Sequence, residues 1–478
     1  MYILGINAYH ADSSACLLKD GVVICATEEE RFRRIKHWAG FPSESIKFCL
    51  KDAKISVQDL DYITISRNPR ANVSKKIIHT IKNKVKIRSV LDRLLNSKKV
   101  GSVKSELAKL LNVKESFIKA DIHHIEHHRS HIASAFFASR FKESAILSID
   151  GFGDFTSTMT SVGIDNKIKV LDCVYYPHSL GVFYTAVTHF LGFHNYGDEY
   201  KVMGLAPYGD AKYLKEISEI IQKTDDGFFR LNQKYFKHFK EGVAMDWENG
   251  EPKIDLLYTK QWEVLFWNAR KKGDDLKQFH IDLAATVQRY TEQMIFYILN
   301  KLHEKTGLDN LCIVGGVAQN SVANGKILLN TPFTNIYVPS AGHDAGTSIG
   351  SALYLYNHIL KKDRLPEINT AYFGQKFTEE EIIKCLFEAN INYEKLEDEY
   401  LFNRVSDKLI EGGVVGWFQG RAEFGPRALG HRSILVDPRR KDAKDLLNKK
   451  IKRRESFRPF APSILEEYVE EYFVQNDE

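Results

Sequence analysis

The feature that most limits the fold is a repeated grammar. Tyr2–Asn7 is an apolar run, followed by a loop of small and hydrogen-bonding residues, Ala8-Tyr9-His10-Ala11-Asp12-Ser13-Ser14. Cys16–Lys19 and Val22–Thr27 then flank Asp20-Gly21, a strong hairpin signal. The same order returns later. Ala145–Ile149 is an apolar run ending in Asp150, followed by Gly151-Phe152-Gly153-Asp154-Phe155-Thr156-Ser157, an apolar stretch, the turn Asp165-Asn166 and the strand Ile168–Leu171. Two copies of a strand–loop–strand–turn–strand unit predict an α/β chain with two similar lobes, about residues 1–140 and 141–366, facing one cleft.

Length and charge bound the rest. A chain of 478 residues exceeds one ordinary core, so further domains are expected. A net charge of +5 is small for this length and argues for neither a nucleic-acid nor a membrane partner. Six cysteines are scattered with no Cys-x-x-Cys pair, which argues against a thiolate zinc site and a disulfide framework. Met1–Ile6 lacks a basic flank and reads as a buried strand rather than a signal peptide. No stretch approaches a membrane span, so a reducing cytoplasm is the expected compartment. Residues 75–104 carry ten Lys or Arg against the one acid Asp92. Without interleaved aromatic residues this predicts a solvated helix pair rather than a nucleic-acid surface.

Two Gly-rich turns follow predicted strands. Leu311–Val314 leads into Gly315-Gly316-Val317-Ala318-Gln319-Asn320 and a helix. Ile336–Val338 leads into Ala341-Gly342-His343-Asp344-Ala345-Gly346-Thr347 and the helix Ser348–Tyr356. That layout brings backbone N–H groups and a helix start onto an anion. Lys361–Pro366 is the expected linker to a second domain, 367–478, with helices over Glu379–Glu388 and Tyr400–Glu411 and a strand over Val414–Phe418.

His127 and His131 stand four apart in a helix-compatible stretch, so both imidazoles share one helix face. Such a pair alone is most often a pair of satisfied helix histidines. With Asp344 as a carboxylate from the other lobe it becomes a metal set, and two imidazoles, a carboxylate and open positions suit iron(II) or another borderline divalent ion. Asp150-Gly151-x-Gly153-Asp154 reads either as a tight turn or as a loop facing phosphate or metal. In Asn195–Gly209, Asp198 or Glu199 is a candidate general base and Lys201 a candidate anion ligand, against the reading of ordinary surface salt bridges. Gly420–Ser433 and Ile451–Pro462 interleave arginines with glycine, proline and apolar residues. That pattern suits a shaped anion pocket better than an open basic face.

These residues support a resemblance. His127-x-x-x-His131, Gly315-Gly316-Val317-Ala-x-Asn320 and His343-Asp344-x-Gly346 resemble the metal domain of the enzyme that makes threonylcarbamoyl-adenosine in tRNA, with its duplicated actin/hexokinase/Hsp70 lobes. His10-x-Asp12-Ser13-Ser14-Ala15, Thr27-Glu28-Glu29-Glu30-Arg31-Phe32-x-Arg34-x-Lys36-His37 and Glu199–Ala206 resemble the NodU/CmcH-type O-carbamoyltransferases. So do Gly420-Arg421-x-Glu423-x-Gly425-Pro426-Arg427-Ala428-Leu429-Gly430 and Phe457-Arg458-Pro459-Phe460-Ala461-Pro462.

The resemblance implies two coupled half-reactions. A C-terminal carbamoyl-AMP-forming domain takes carbamoyl phosphate and ATP to carbamoyl adenylate, and the first domain passes the carbamoyl group to an acceptor hydroxyl. His127, His131 and Asp344 then hold the metal. Asp150, Gly151, Gly153, Gly315, Gly316, Asn320 and Gly346 face nucleotide phosphates, and Arg421, Arg427, Arg432, Arg454 and Arg458 neutralise carbamoyl phosphate and ATP. His10, Asp12, Asp198, Glu199 and Lys201 form the pool for acceptor activation and anion binding. The acceptor is a hydroxylated small molecule or sugar, and a homodimer is compatible. Family members continue past the Phe457–Pro462 motif, so the second domain is expected to be incomplete. A sugar-type kinase of the same lobe fold and a non-catalytic tRNA-associated protein are the alternatives. The kinase would need neither the histidine pair nor the arginine-rich domain. A hydrogenase-maturation carbamoyltransferase would carry Cys-x-x-Cys fingers, which are absent.

Overall fold

A computed structural model describes residues 1–83, 102–243 and 245–473, in two compact units, Met1–Asn369 and Thr370–Glu478. In the first unit, β1 (Tyr2–Asn7), β2 (Ser14–Lys19), β3 (Val22–Glu28), β4 (Tyr62–Ile65) and β5 (Asp121–His124) form a sheet ordered β3-β2-β1-β4-β5. Its neighbours are antiparallel along the β1–β2–β3 meander and parallel from β1 through β4 to β5. The second sheet repeats that plan. β6 (Glu143–Gly153), β7 (Thr156–Ile164) and β8 (Lys167–Tyr175) are the meander, and the strands Asn310–Val314 and Asn335–Tyr337 add in parallel on the β6 side. The predicted duplication is therefore a duplication of sheet order as well as of pattern. Asp20 (φ 50°) and Gly21 (φ 88°) close the first hairpin with two successive left-handed residues, the geometry that matches strand twist.

The two lobes exchange helices. The helix His127–Phe136 follows β5 of the first sheet but packs on β6, β7 and the strand Asn310–Val314 of the second. Thr347–Leu353 follows the second sheet but packs on β1, β2 and β4 of the first. Both helices are almost wholly buried and they cross each other closely. A Cβ on Gly350 would stand 1.8 Å from the Ser130 carbonyl oxygen, and one on Gly5 would stand 2.1 Å from that of Ser348. Buried hydroxyls lace the crossing: Ser14 donates to the Ala345 carbonyl (2.7 Å), Thr347 to Ser66 (2.8 Å), and Thr64 pairs with Ser351 (2.8 Å).

Several local expectations change. The turn after Gly315-Gly316 enters a 3₁₀ turn, Val317–Gln319, and a four-residue helix, Ser321–Asn324, too short to carry much macrodipole. Of the basic stretch 75–104, helix Val73–Asn83 and the start of helix Val103–Leu111 are present, and 84–101 lie outside the described residues. Arg364, in the expected linker, donates to the carbonyls of Phe136 (2.8 Å) and Ser139 (2.7 Å), closing the end of the histidine helix. A 29-residue helix, Gln278–Thr306, has no counterpart in the sequence reading. No described helix is long and apolar enough to cross a membrane. The second unit holds helices Glu379–Glu388 and Asp398–Ile410 and the antiparallel pair Val415–Phe418 and Arg432–Leu435.

Gly350→Ala is expected to lose about 1–3 kcal/mol of stability by overpacking the crossing, despite a helix-propensity gain of about 1 kcal/mol. Gly151→Ala, whose Cβ meets nothing within 4 Å, should stay within about 0.5 kcal/mol of wild type. Urea unfolding compares the two; equal midpoints would show that the helices do not bear on each other at Gly350.

Candidate metal centre

At the crossing four buried side chains converge. His127 Nε2 lies 3.1 Å from His131 Nε2, as the four-residue spacing on one helix face allows. Asp150 Oδ2 is 3.3 Å from both, and Asp344 Oδ1 is 3.5 Å from His127 and 3.3 Å from His131. Asp150 comes from β6 and Asp344 from the turn before helix Thr347–Leu353, so each carboxylate is set by a different element. The sequence left the Asp150 loop facing phosphate or metal, and the resemblance grouped Asp150 with the phosphate-facing residues; its carboxylate lies with His127, His131 and Asp344, one ligand-type atom of each within 4.8 Å of the others.

Local contacts aim these groups. Glu126 caps the histidine helix by accepting from Arg129 N (2.8 Å). Asp154 Oδ2 accepts from His127 N (3.0 Å) and Asn68 N (2.7 Å), pinning the first turn of that helix to the loop after β4. Gly316 N donates to Asp150 Oδ1 (3.0 Å), which turns Oδ2 toward the imidazoles. A Cβ on Gly153 would stand 1.9 Å from the His127 ring.

The four groups set one another's charge. Burial pushes both carboxyls up and Asp344 pushes Asp150 further, but the imidazoles prevail: His127 and His131 hold Asp150 low, and His10 and His127 hold Asp344 well below its ordinary value. Burial alone would discharge His127, yet Asp344 and Asp150 hold its proton well above the usual imidazole range; His131 moves the same way. His128, on the same helix, is the contrast. Burial, with the neighbouring His127 and His131, pulls it down to about 3. It stays neutral, donating from Nε2 to the Thr156 carbonyl (3.1 Å) and accepting at Nδ1 from Ser148 (2.8 Å). Two imidazoles and two carboxylates fit a divalent ion: ligand bonds of about 2.0–2.2 Å set adjacent donors about 3.0–3.5 Å apart, the spacing seen here.

The remaining expected site residues divide. His10 pairs through Nδ1 with Asp344, at the edge of the cluster. Asp12 pairs with His37 Nδ1 at 2.8 Å, and Glu30 accepts from His37 N at 2.7 Å. Asp198 and Lys201 pair with each other at 3.0 Å, and Glu199 accepts from Thr185 Oγ1 at 2.5 Å. Asn320 is occupied by Gln288, donating to its Oε1 (2.9 Å) and accepting from its Nε2 (3.0 Å). Of the five glycines expected to approach phosphate, Gly151 faces open space. The side-chain positions of Gly153, Gly315, Gly316 and Gly346 are filled by His127, Ile149, Asp150 and Ala341. A side chain at those four positions would not fit. His37, Tyr196 and His343 join the neighbourhood without having been singled out as site residues. His343 Nε2 lies 3.9 Å from Asp12, and the Tyr196 ring lies 5.3 Å from that of His37.

In the second unit the arginines are unequal. Arg432 donates to the carbonyls of Gln419 (2.6 Å), His431 (3.0 Å), Gln375 (3.1 Å) and Gly420 (3.2 Å) and stacks over Phe418. Arg421 donates to the Gly374 carbonyl (3.1 Å), Arg454 to Asn448 Oδ1 (2.7 Å), and Arg458 faces Glu455 (3.7 Å). Arg427 is exposed. Glu423, held low by N–H donors from Leu429, His431 and Arg432 at 2.8–3.1 Å against the pull of burial, anchors the loop that carries it.

Comparison with known proteins adds a lineage. Residues 2–353 match the family described as carbamoyltransferase N-terminus, and residues 406–478 the one described as carbamoyltransferase C-terminus. The uncharacterized protein sll1178 of Synechocystis is 41% identical, over 99% of this chain and 77% of its own length. Nodulation protein NolNO of Sinorhizobium fredii is 36% identical over 98% of this chain, and NolO of Bradyrhizobium diazoefficiens 37% over 74%. The matches span 65% and 60% of those two nodulation proteins.

Because His127 and His131 hold protons that an ion must displace, cobalt(II) binding should release protons and weaken as pH falls through their raised range. Calorimetry in buffers of different ionisation enthalpy reads this directly. Asp150→Asn should abolish stoichiometric binding; retained stoichiometry would remove Asp150 from the ligand set.

Proposed function

The chain belongs to the carbamoyltransferase family, and from that premise we propose that it is an O-carbamoyltransferase. In this reading carbamoyl phosphate and ATP give carbamoyl adenylate, and the carbamoyl group passes to a hydroxyl of a small-molecule or sugar acceptor. The observation that carries the proposal is the convergence of His127, His131, Asp150 and Asp344 at the helix crossing. A divalent ion held there, iron(II) on the character of this donor set, supplies Lewis-acid polarisation of the carbamoyl carbonyl.

The chain's own residues account for the rest. Domain 1–366 holds the transfer site. Gly151, beside Asp150 and facing open space, lets a nucleotide phosphate approach the backbone. Asp12, Asp198, Glu199 and His10 remain the pool for handling the acceptor proton, and Lys201 is oriented by Asp198. Domain 367–478 binds carbamoyl phosphate and ATP. There Arg421, Arg427, Arg432, Arg454 and Arg458 are the groups that neutralise the anion, Arg427 standing most open to solvent. The cytoplasm is the compartment this chemistry suits, and a homodimer is compatible with it.

Mass spectrometry of products formed from carbamoyl phosphate, ATP and a panel of hydroxylated acceptors tests the reading. A mass gain of one carbamoyl group is expected with wild type. His127→Ala and Asp344→Ala should lose metal and acceptor carbamoylation together. Arg427→Ala should keep its metal and slow carbamoyl-phosphate-dependent exchange of pyrophosphate into ATP. Unchanged exchange would count against the arginine pocket.

A further inference from the structure

The pool of groups for the acceptor proton can be narrowed. A general base needs a lone pair that the protein has not already used, a fixed direction and a place beside the transfer centre. Asp198 is committed to Lys201 (3.0 Å) and to Asn195 N (3.2 Å), and Glu199 accepts from Thr185. His10 Nδ1 faces Asp344, the carboxylate shared with His127 and His131, so a divalent ion held there would draw away the charge that orients its ring. His37 meets all three requirements. Its Nδ1 faces Asp12 Oδ1 at 2.8 Å. In the neutral ring Nδ1 is then the donor and Nε2 carries the lone pair. Nε2 has no hydrogen-bond partner among the described residues, and the side chain is 26% exposed. The ring sits against the backbone of Gly197 (φ 79°), where a Cβ would come within 2.3 Å of Nε2.

The pair is built rather than incidental. Asp12 and His37 both adopt φ of 56°, a left-handed conformation unusual for such residues. Main-chain bonds hold their loops together: Ser13 N donates to the Trp38 carbonyl and Tyr9 N to that of Gly40, each at 2.9 Å. The pair also borders the metal centre. Asp12 feels the charge of Asp344 and lies 3.9 Å from His343, the residue before Asp344. Tyr196, packed on His37, feels Asp344, Asp12 and Asp150.

We propose that His37 is the general base of the transfer step and Asp12 its positioning residue. This rests on the reading of the site as a carbamoyl-transfer centre. The acceptor hydroxyl oxygen bonds to the carbamoyl carbon as its proton moves to His37 Nε2. The bond from that carbon to the phosphate oxygen of carbamoyl adenylate breaks, the electron pair leaves with AMP, and His37 returns its proton to solvent. The charges facing the imidazole set its working range. Burial disfavours the cation, but Asp12 on the β1–β2 loop, Glu30 in helix Glu30–Arg33 and Glu199 in helix Glu199–Leu205 hold its proton up to about 9. The neutral, base-competent form therefore grows about tenfold per pH unit until that range is reached.

The test uses the full metal-loaded chain with carbamoyl phosphate, ATP and glycerol, glucose, N-acetylglucosamine or water as acceptor. Carbamoylated product, or ammonia where water attacks, is followed from pH 6 to about 10, a range that spans the imidazole titration. In wild type, kcat/KM should rise with pH and level near 9. His37→Gln should lower kcat by about 10²–10⁴-fold and erase the rising limb, with metal content and melting temperature unchanged. Asp12→Asn keeps an acceptor for Nδ1–H but removes the anion that favours the imidazolium, so the limb should move to lower pH with a lower plateau. An active wild type whose rate and pH limb survive in His37→Gln overturns the His37 assignment alone. A wild type inactive toward all four acceptors overturns the transferase reading, and this proposal with it.

Discussion

Two buried carboxylates face each other across the helix crossing, and the first unit is arranged around making that tolerable. Asp150 and Asp344 each repel the other's charge in a place where water cannot screen it. Burying one unpaired carboxylate is already costly, and burying two together is worse. The histidine helix answers this by delivering two imidazoles on one face, each within 3.5 Å of both carboxylates. The four groups form one electrostatic unit, and proton or divalent cation is the variable that completes it.

That unit exists because the lobes trade helices. Each sheet alone would leave its donors on its own side of the cleft. The exchange places the helix after β5 on the second sheet and the helix after Asn335–Tyr337 on the first, so ligands far apart in sequence meet at one point. Close crossing demands small residues and internally satisfied hydroxyls, which is why Gly350, Ser130, Ser348, Ser351 and Thr347 stand where larger side chains would force the helices apart. Packing sets the donor spacing, and donor spacing sets what the centre holds.

Much of this was legible in the sequence because it was periodic or local. The paired meanders showed as repeated strand and turn patterns, and His127 and His131 as a four-residue spacing. Asp150 was visible as a special residue, but a strand-end Asp-Gly pattern does not say which partner its carboxylate meets; that depends on Gly316 N, far along the chain. The helix Gln278–Thr306 escaped because buried polar residues, His280, Asp282, Gln288 and Glu292, interrupt the apolar stripe by which helices are read. His37 stood inside a recognised motif, yet its pairing with Asp12 and its packing on the loop around Gly197 are contacts that no local pattern encodes.

The arginines of the second unit show the same distinction between composition and use. A guanidinium has five donors, and nothing in a run of sequence says whether they meet a ligand or the backbone. Arg432 gives its terminal nitrogens to four carbonyl oxygens, so it stiffens the loop around it. Glu423 works from the opposite side, collecting three backbone N–H groups of the same loop on one carboxylate oxygen. A cation donating to carbonyls and an anion accepting from amides together define the loop's path without help from a large core. Arg427, exposed on the segment between Glu423 and Arg432, is carried by a loop whose path these two groups set from either side.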